Sequence, residues 1–415
     1  NQSVAERRAR RTDWHSSFAV PVERRVHDGT DQLKHKQNWT YNTRGQVLTS
    51  AATDPSTAQV RTTQYTYCEA STSPACPRVG LLLSVDGPRT DVNDVTNYAY
   101  YAADHASCAG SPATCAYRKG DLWKVTNALG HVSETLAYDG AGRVLSSKDP
   151  NGLVTDYTYH PRGWLATSTV RGSTTANDLV TSITYWPTGL VKRVTQPDGA
   201  YTQYSYDGAH RLTGILDNAG NRIQYTLDNA GNRVQEDVRD PANALKKTLS
   251  RVFNGLGQLE SQATAGNDPT DFTYDADGNT TTVTDALSRV GSGAHGALPR
   301  PRTPIQDVGG IEAETSLGYD ALDNLTRVTD PKGLDTSYTY NAFGDLLSLS
   351  SPDTGATSYT YDAAGNRLTQ TDARGVTTTY TYDALNRLKT IAYSDGTPST
   401  TVFYDRTSGR CRAGT

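Results

Sequence analysis

Methionine is absent from the 415 residues, phenylalanine occurs only 5 times, and hydrophobic residues make up only 35% of the chain. So few large apolar side chains cannot fill a thick, dry core. No apolar run approaches the ~18 residues that cross a bilayer as a helix, so no membrane span is expected. Charge of one sign is missing too. The formal net charge is −4 with both signs scattered, which offers no field for a nucleic-acid backbone. The one basic cluster, Arg7, Arg8, Arg10 and Arg11, reads as a solvated terminal segment. The opening NQSVAERRARRTDW has neither an initiator methionine nor the apolar stretch of a signal peptide. A chain beginning at Asn1 is therefore expected to be part of something longer. The cysteines lack the close spacing of a zinc ribbon or redox motif. Cys68 and Cys76 flank one short loop, Cys108 and Cys115 flank another, and Cys411 is left over. Two local disulfides and free buried thiols both fit, and the former leans the protein toward an extracytoplasmic address.

What the sequence does have is tyrosine, 25 copies of it, in a recurring word. In YTYDAAGNRLTQTDARGVTTTYTYDALNRL, Tyr359-Thr-Tyr361-Asp362 returns as Tyr380-Thr-Tyr382-Asp383. The residue before each Asp, or its equivalent, serves as an anchor. Anchors fall at Tyr319, Tyr340, Tyr361, Tyr382 and Tyr404, and earlier at Tyr138, Tyr159, Tyr185, Tyr206, Leu227, Phe253 and Tyr274. The usual interval is 21 residues, and two intervals of 26 read as turn insertions. Weaker anchors at Tyr41, Tyr67 and Tyr100 carry the pattern toward the N-terminus, past insertions that hold the four paired cysteines.

Alternation in TTTYTYD puts both tyrosines on one face and the threonines on the other, which is a strand. Asp139 with Gly142 and Asp362 with Gly365 read as turns, with Asp capping the backbone and Gly taking the left-handed conformation. The same grammar places turn glycines at Gly220, Gly231, Gly278 and Gly375. Two strands and two turns per 21 residues leave no room for a helix, so no α-helix is expected beyond residue 40. The tyrosines are expected to stack from unit to unit, because one unit cannot bury its aromatic face alone. Sixteen anchors, counting a degenerate one near His295, imply about 32 strands. Five stretches follow: an N-terminal segment 1–38 without clear pattern, an array 39–285, a degenerate repeat or loop 286–313, regular repeats 314–405, and a tail 406–415.

Y-x-Y-D followed by G-x-R-L and D-x-x-G at this period resembles the YD repeats of Rhs proteins, wall-associated bacterial proteins and teneurins. ADHASCAGSPATCAYRKGDLWKVTNALG and YTLDNAGNRVQEDV are similar to proteobacterial Rhs proteins in particular. The resemblance implies an all-β ribbon solenoid, a curved sheet forming part of a hollow shell. Such a shell encloses a C-terminal toxin, delivered by a secretion apparatus to competing bacteria. The partners so implied are the enclosed toxin domain, further shell segments and the secretion apparatus, and the address is secreted or cell-envelope. No stretch matches the family's shell-closing core motif with its self-cleaving aspartates. The expectation for this chain is an open curved sheet with a polar concave side.

Other words carry less. Gly291-Ser-Gly293-Ala-His-Gly296 spells a dinucleotide fingerprint but is followed by ALPRPRTP, which cannot open a helix. Asp353-Thr-Gly355 recurs nowhere as the second triplet an aspartic protease needs. Asp275, Asp277 and Asn279 lack the Glu that completes a calcium loop. No catalytic residue, metal ligand or cofactor is assigned. The alternative function is adhesion or carbohydrate binding, for which Trp123, Trp164 and Trp186, off the anchors, are the sugar-stacking candidates.

Overall fold

Every tyrosine word but the last runs to the end of a strand. In the computed structural model, which describes residues 8–71, 73–110, 115–296 and 300–404, strands Val154–Tyr159, Tyr201–Tyr206, Asp335–Tyr340 and Thr377–Tyr382 all stop at their anchor. The return strands then begin at Leu165, Leu212, Leu346 and Leu388. Between them the backbone closes tightly. In Asp139–Arg143 the Gly142 N–H donates to the Asp139 carbonyl at 3.0 Å, and the Asp139 N–H to the Arg143 carbonyl at 2.9 Å. That is a type I turn followed by one left-handed residue, Gly142 at φ +80°.

Consecutive strands pair antiparallel. The 34 strands among the described residues form one sheet of 25 and another of 9. Arg8–Trp14 pairs only with Pro21–Asp28, and Ala313–Glu314 only with Pro301–Gln306, so the larger sheet is not closed into a barrel. No α-helix occurs among the described residues, only the 3-10 turns Ala106–Ala109 and Thr175–Asn177. The chain divides into two compact units, residues 1–134 with 315–415, and residues 135–314.

One irregularity recurs with the repeat. Thr158 faces Thr167, yet Tyr159 faces Leu165, which leaves Ala166 as an extra residue on the return strand. The same β-bulge stands beside Tyr41, Tyr67, Tyr100, Tyr185, Tyr206, Leu227, Phe253, Tyr274, His295, Tyr319, Tyr340, Tyr361 and Tyr382. A bulge repeated at these anchors increases the local twist each time, in one sense.

Three details depart from expectation. Residues 8–38 are not patternless: Arg8–Trp14, Pro21–Asp28 and Leu33–Tyr41 pair in sequence. Their cross-strand contacts are ionic, with Arg25 on Asp13 at 2.5 Å and Lys36 on Glu23 at 2.8 Å, so no tyrosine pattern announces them. The stretch around His295 keeps the hairpin, with Val290–His295 against Pro301–Gln306, although it has lost its tyrosines. Of the two long intervals, the one before Tyr185 is a turn insertion holding Thr175–Asn177. The one before Phe253 instead lengthens strands Arg233–Arg239 and Leu245–Phe253 around an ordinary turn.

The sheet is a single layer almost everywhere. Among described apolar residues only Val26, Cys68, Cys115 and Ala321 are buried. The accessible surface is 24113 Å², against about 15,700 Å² for a compact globule of this mass.

Candidate functional site

The tyrosines were expected to stack from unit to unit. A repeated contact between units is made by their hydroxyls. Tyr159 Oη donates to the Val144 carbonyl at 2.8 Å, Tyr274 to Leu259 at 2.6 Å, Tyr361 to Leu346 at 2.8 Å and Tyr382 to Arg367 at 3.0 Å. Tyr41, Tyr100 and Tyr185 do the same to Pro21, Leu82 and Leu165. Each acceptor is the first residue of a preceding return strand, the place where the bulge disturbs the ladder. Burial pushes the hydroxyl pKa up at Tyr41, Tyr100, Tyr159, Tyr206, Tyr340, Tyr361 and Tyr382. The first tyrosines of successive words are joined by a cation: the Arg367 guanidinium lies 5.9 Å from the Tyr359 ring and 4.5 Å from that of Tyr380. On the opposite face threonine hydroxyls pair across the hairpin, Thr360 with Thr369 and Thr381 with Thr390, both at 2.6 Å and exposed. Of the other anchors, Tyr138 and Tyr319 end their strands. Tyr404 follows the last described strand, with Arg387 4.3 Å over its ring.

Turn carboxylates follow one scheme. Asp362 Oδ1 accepts the N–H groups of Ala364 and Asn366, and Oδ2 accepts the Asn366 side chain at 2.8 Å. At Asp139 the fifth residue is arginine, and Arg143 Nε donates to Oδ2 at 2.6 Å. Gly220, Gly231, Gly278, Gly365 and Gly375 all hold positive φ at the fourth position. His210, Ser288, Asp323 and Asn386 hold the same conformation without being glycine. Asp275, Asp277 and Asn279 belong to this scheme, with both Asp275 oxygens already engaged. No metal-binding group of His, Cys, Asp or Glu exists among the described residues. Gly291 and Gly293 lie within a strand, and Gly355 opens one at φ +73°.

The least expected feature lies in the first unit, where loops of the N-terminal strands grip turns of the last repeats. Arg89, its side chain 3% exposed, donates to the Asp383 carbonyl at 2.6 Å and lies 3.4 Å from Asp362 Oδ2. It is held by Asp91 at 2.6 Å, and that bond chiefly raises its pKa. Arg61 pairs with Asp345 and sits 4.1 Å over the Phe343 ring. Asp54, fully buried, accepts from Ser56 Oγ at 2.6 Å and from the Ala342 N–H at 3.2 Å. Burial alone would raise its pKa, but these donors outweigh it and hold the carboxyl below its ordinary value. Arg8 pairs with Asp323 at the same edge. Sequence reasoning missed this clasp. Arg61 and Arg89 lie outside the repeated words, and the only hint was the apolar third residue of the late turns, Leu322, Phe343 and Leu385.

Cys68 is bridged to Cys76, and Cys108 to Cys115, each closing a loop in the first unit, while Cys411 lies outside the described residues. Trp164 and Trp186 line one groove of the second unit with His160, Tyr185 and Pro187. His160 stacks on Trp164 at 5.1 Å, occupying the places that Asp and Arg hold in other turns. Trp123 lies in the first unit, at the bulge position, 5.8 Å from Tyr101.

The RHS Repeat family model matches residues 138–176, 185–222, 319–356, 340–377 and 361–398, every match starting at an anchor tyrosine. These stretches are RHS repeats. Each RHS match spans nearly two of the words described above. Comparison with curated proteins gives no significant match. Among solved structures, TcdB2-TccC3 is similar at a TM-score of 0.57 and 14% identity, over 95% of this chain and 22% of that one. A Tc holotoxin pore from Photorhabdus luminescens is similar at a TM-score of 0.48 and 13% identity, over 95% of this chain and 26% of that one. At such identity the likeness is one of fold, and this chain spans about a quarter of the length of either.

Proposed function

We propose that this RHS chain is a non-enzymatic wall segment of a shell that encloses a C-terminal toxin domain. Further shell segments complete the wall, and the assembly is exported in competition between bacteria. The observation that carries the reading is the one-layer build. Repeats joined by hydroxyl-to-carbonyl contacts and turn carboxylates make a wall with an exposed threonine face. The two local disulfides fit an extracytoplasmic address.

The test is protease protection in the full gene product that contains these repeats. Any segment encoded outside residues 1–415 should resist digestion with the repeats folded and be cut once the wall is destabilised by Arg89→Ala. Equal digestion in both overturns the reading. Hydrolase, nuclease and protease assays on the same sample should be blank.

A carbohydrate-binding reading has one specific observation behind it, the groove of Trp164 and Trp186. Glycan-array binding lost in Trp186→Ala would favour it.

A further inference from the structure

The clasp of the first unit uses two successive turns as a receptor. The turn Asn341–Asp345 offers Phe343, and the turn beginning at Asp362 offers a carboxylate. The second unit contains a like pair of turns, in the same order and spacing but with Gln258 in the place of Asp345, and leaves it bare. Asn254 caps Leu256 and Gln258 through Oδ1 at 2.9 and 3.0 Å, as Asn341 caps Phe343 and Asp345 at 3.0 and 2.9 Å. The following turns, Asp275 to Asn279 and Asp362 to Asn366, both close on an Asn side chain 2.9 and 2.8 Å from the carboxylate. Phe343 lies under Arg61, whereas Leu256 is 85% exposed. Ala363 and Ala364 are partly covered, whereas Ala276 and Asp277 are exposed.

We infer that the turns at 254–258 and 275–279 form a docking site for an arginine-bearing turn of a second copy of this chain. The apolar third residue would take the face of the guanidinium, and Asp275 its charge. The polarity of the contact selects the donor. Arg61 stands near the start of the tyrosine strand Val60–Tyr67, and Arg89 in the loop between Leu82–Asp86 and Thr96–Tyr100, both at the edge opposite the anchors. Arg374 is the third residue of a turn at that edge, Asp372 to Val376, and its side chain is 77% exposed. Docking one edge on the other is head to tail, so copies would add as a ring or an open series. The inference goes beyond the wall reading and does not depend on any cargo.

Sedimentation of the isolated chain over a concentration series tests it. Wild type should associate as concentration rises, more weakly at high salt. Leu256→Glu, Asp275→Asn and Arg374→Ala should each raise the dissociation constant about tenfold or more. Leu256 and Arg374 are exposed, so unchanged melting of those two variants separates lost docking from lost folding. A wild-type chain that stays monomeric overturns the inference. So does association that the three variants leave unchanged, the signature of strand-edge pairing. Either failure leaves the protease-protection result to decide the wall reading independently.

Discussion

Why the chain uses 25 tyrosines and only 5 phenylalanines is answered by a single oxygen. A phenylalanine at an anchor would fill the same space and leave a carbonyl beside the bulge without its donor. Tyr361→Phe should therefore cost about 1 kcal/mol, read as a lower denaturation midpoint at unchanged slope. Leu227 supplies the reverse experiment, since it ends its strand beside a bulge of the same kind with no hydroxyl to give. Leu227→Tyr should reach the Leu212 carbonyl and gain about 1 kcal/mol in the same measurement. Backbone conformation gives a second pair. A Cβ at Gly375 meets nothing within 4 Å, so Gly375→Val, at φ +81°, isolates the cost of the left-handed conformation at about 1–2 kcal/mol. Ser288 already bears that cost at φ +61°, and Ser288→Gly should raise the melting temperature.

At the scale of the hairpin, turn carboxylates and tyrosine hydroxyls set opposite limits of pH. Asp228 and Asp275 are held below their ordinary pKa chiefly by the Asn232 and Asn279 side chains. A depressed carboxylate contributes stability that is complete above its unfolded pKa, about 4, and is lost as pH falls through the folded value. The anchor hydroxyls are shifted up by burial, so their contribution is complete below about 10 and is lost as pH rises through the folded value. Burial lowers the pKa of His35, so stability also falls as pH drops below about 6.5. Melting temperature should be flat from there to about 10, and a steady slope between about pH 7 and 9 would contradict the assignment. The hairpin was largely legible in the sequence, because alternation, Asp caps and glycines at left-handed positions act locally. The bulge was not, since a residue such as Ala166 looks like any strand residue until its partner is known. Nor were strands Arg8–Trp14 and Pro21–Asp28, whose pairing rests on scattered charges. The clasp was hidden for a stronger reason, since Arg89 and Asp383 meet across a separation of 294 residues that no local pattern records.

At the scale of the whole chain, the two units differ in what holds them. The second unit is a succession of neighbouring hairpins, and its stability should behave as a sum of nearest-neighbour terms. The first unit adds the clasp, which ties its early strands to the last repeats. Removing the Arg89 side chain leaves Asp362 without its cation, and Arg89→Ala should cost about 2–4 kcal/mol. Hydrogen exchange should place that loss in residues 82–100 and 357–393 while protection in residues 144–264 stays as it was. A uniform loss across the chain would mean that the array melts as one cooperative block. Circular dichroism of the same sample should show strand and no appreciable helix.

The direction of the tyrosine contact has a consequence for the order of assembly. Each anchor reaches back toward the N-terminus, to a carbonyl that was there before it. A hairpin that has just formed leaves one such acceptor waiting for the hydroxyl of the next. A chain that arrives N-terminus first, from a ribosome or through a narrow conduit, can thus set each course on the one below without waiting for its far end. Only the clasp demands the final repeats, so it would be the last joint to close.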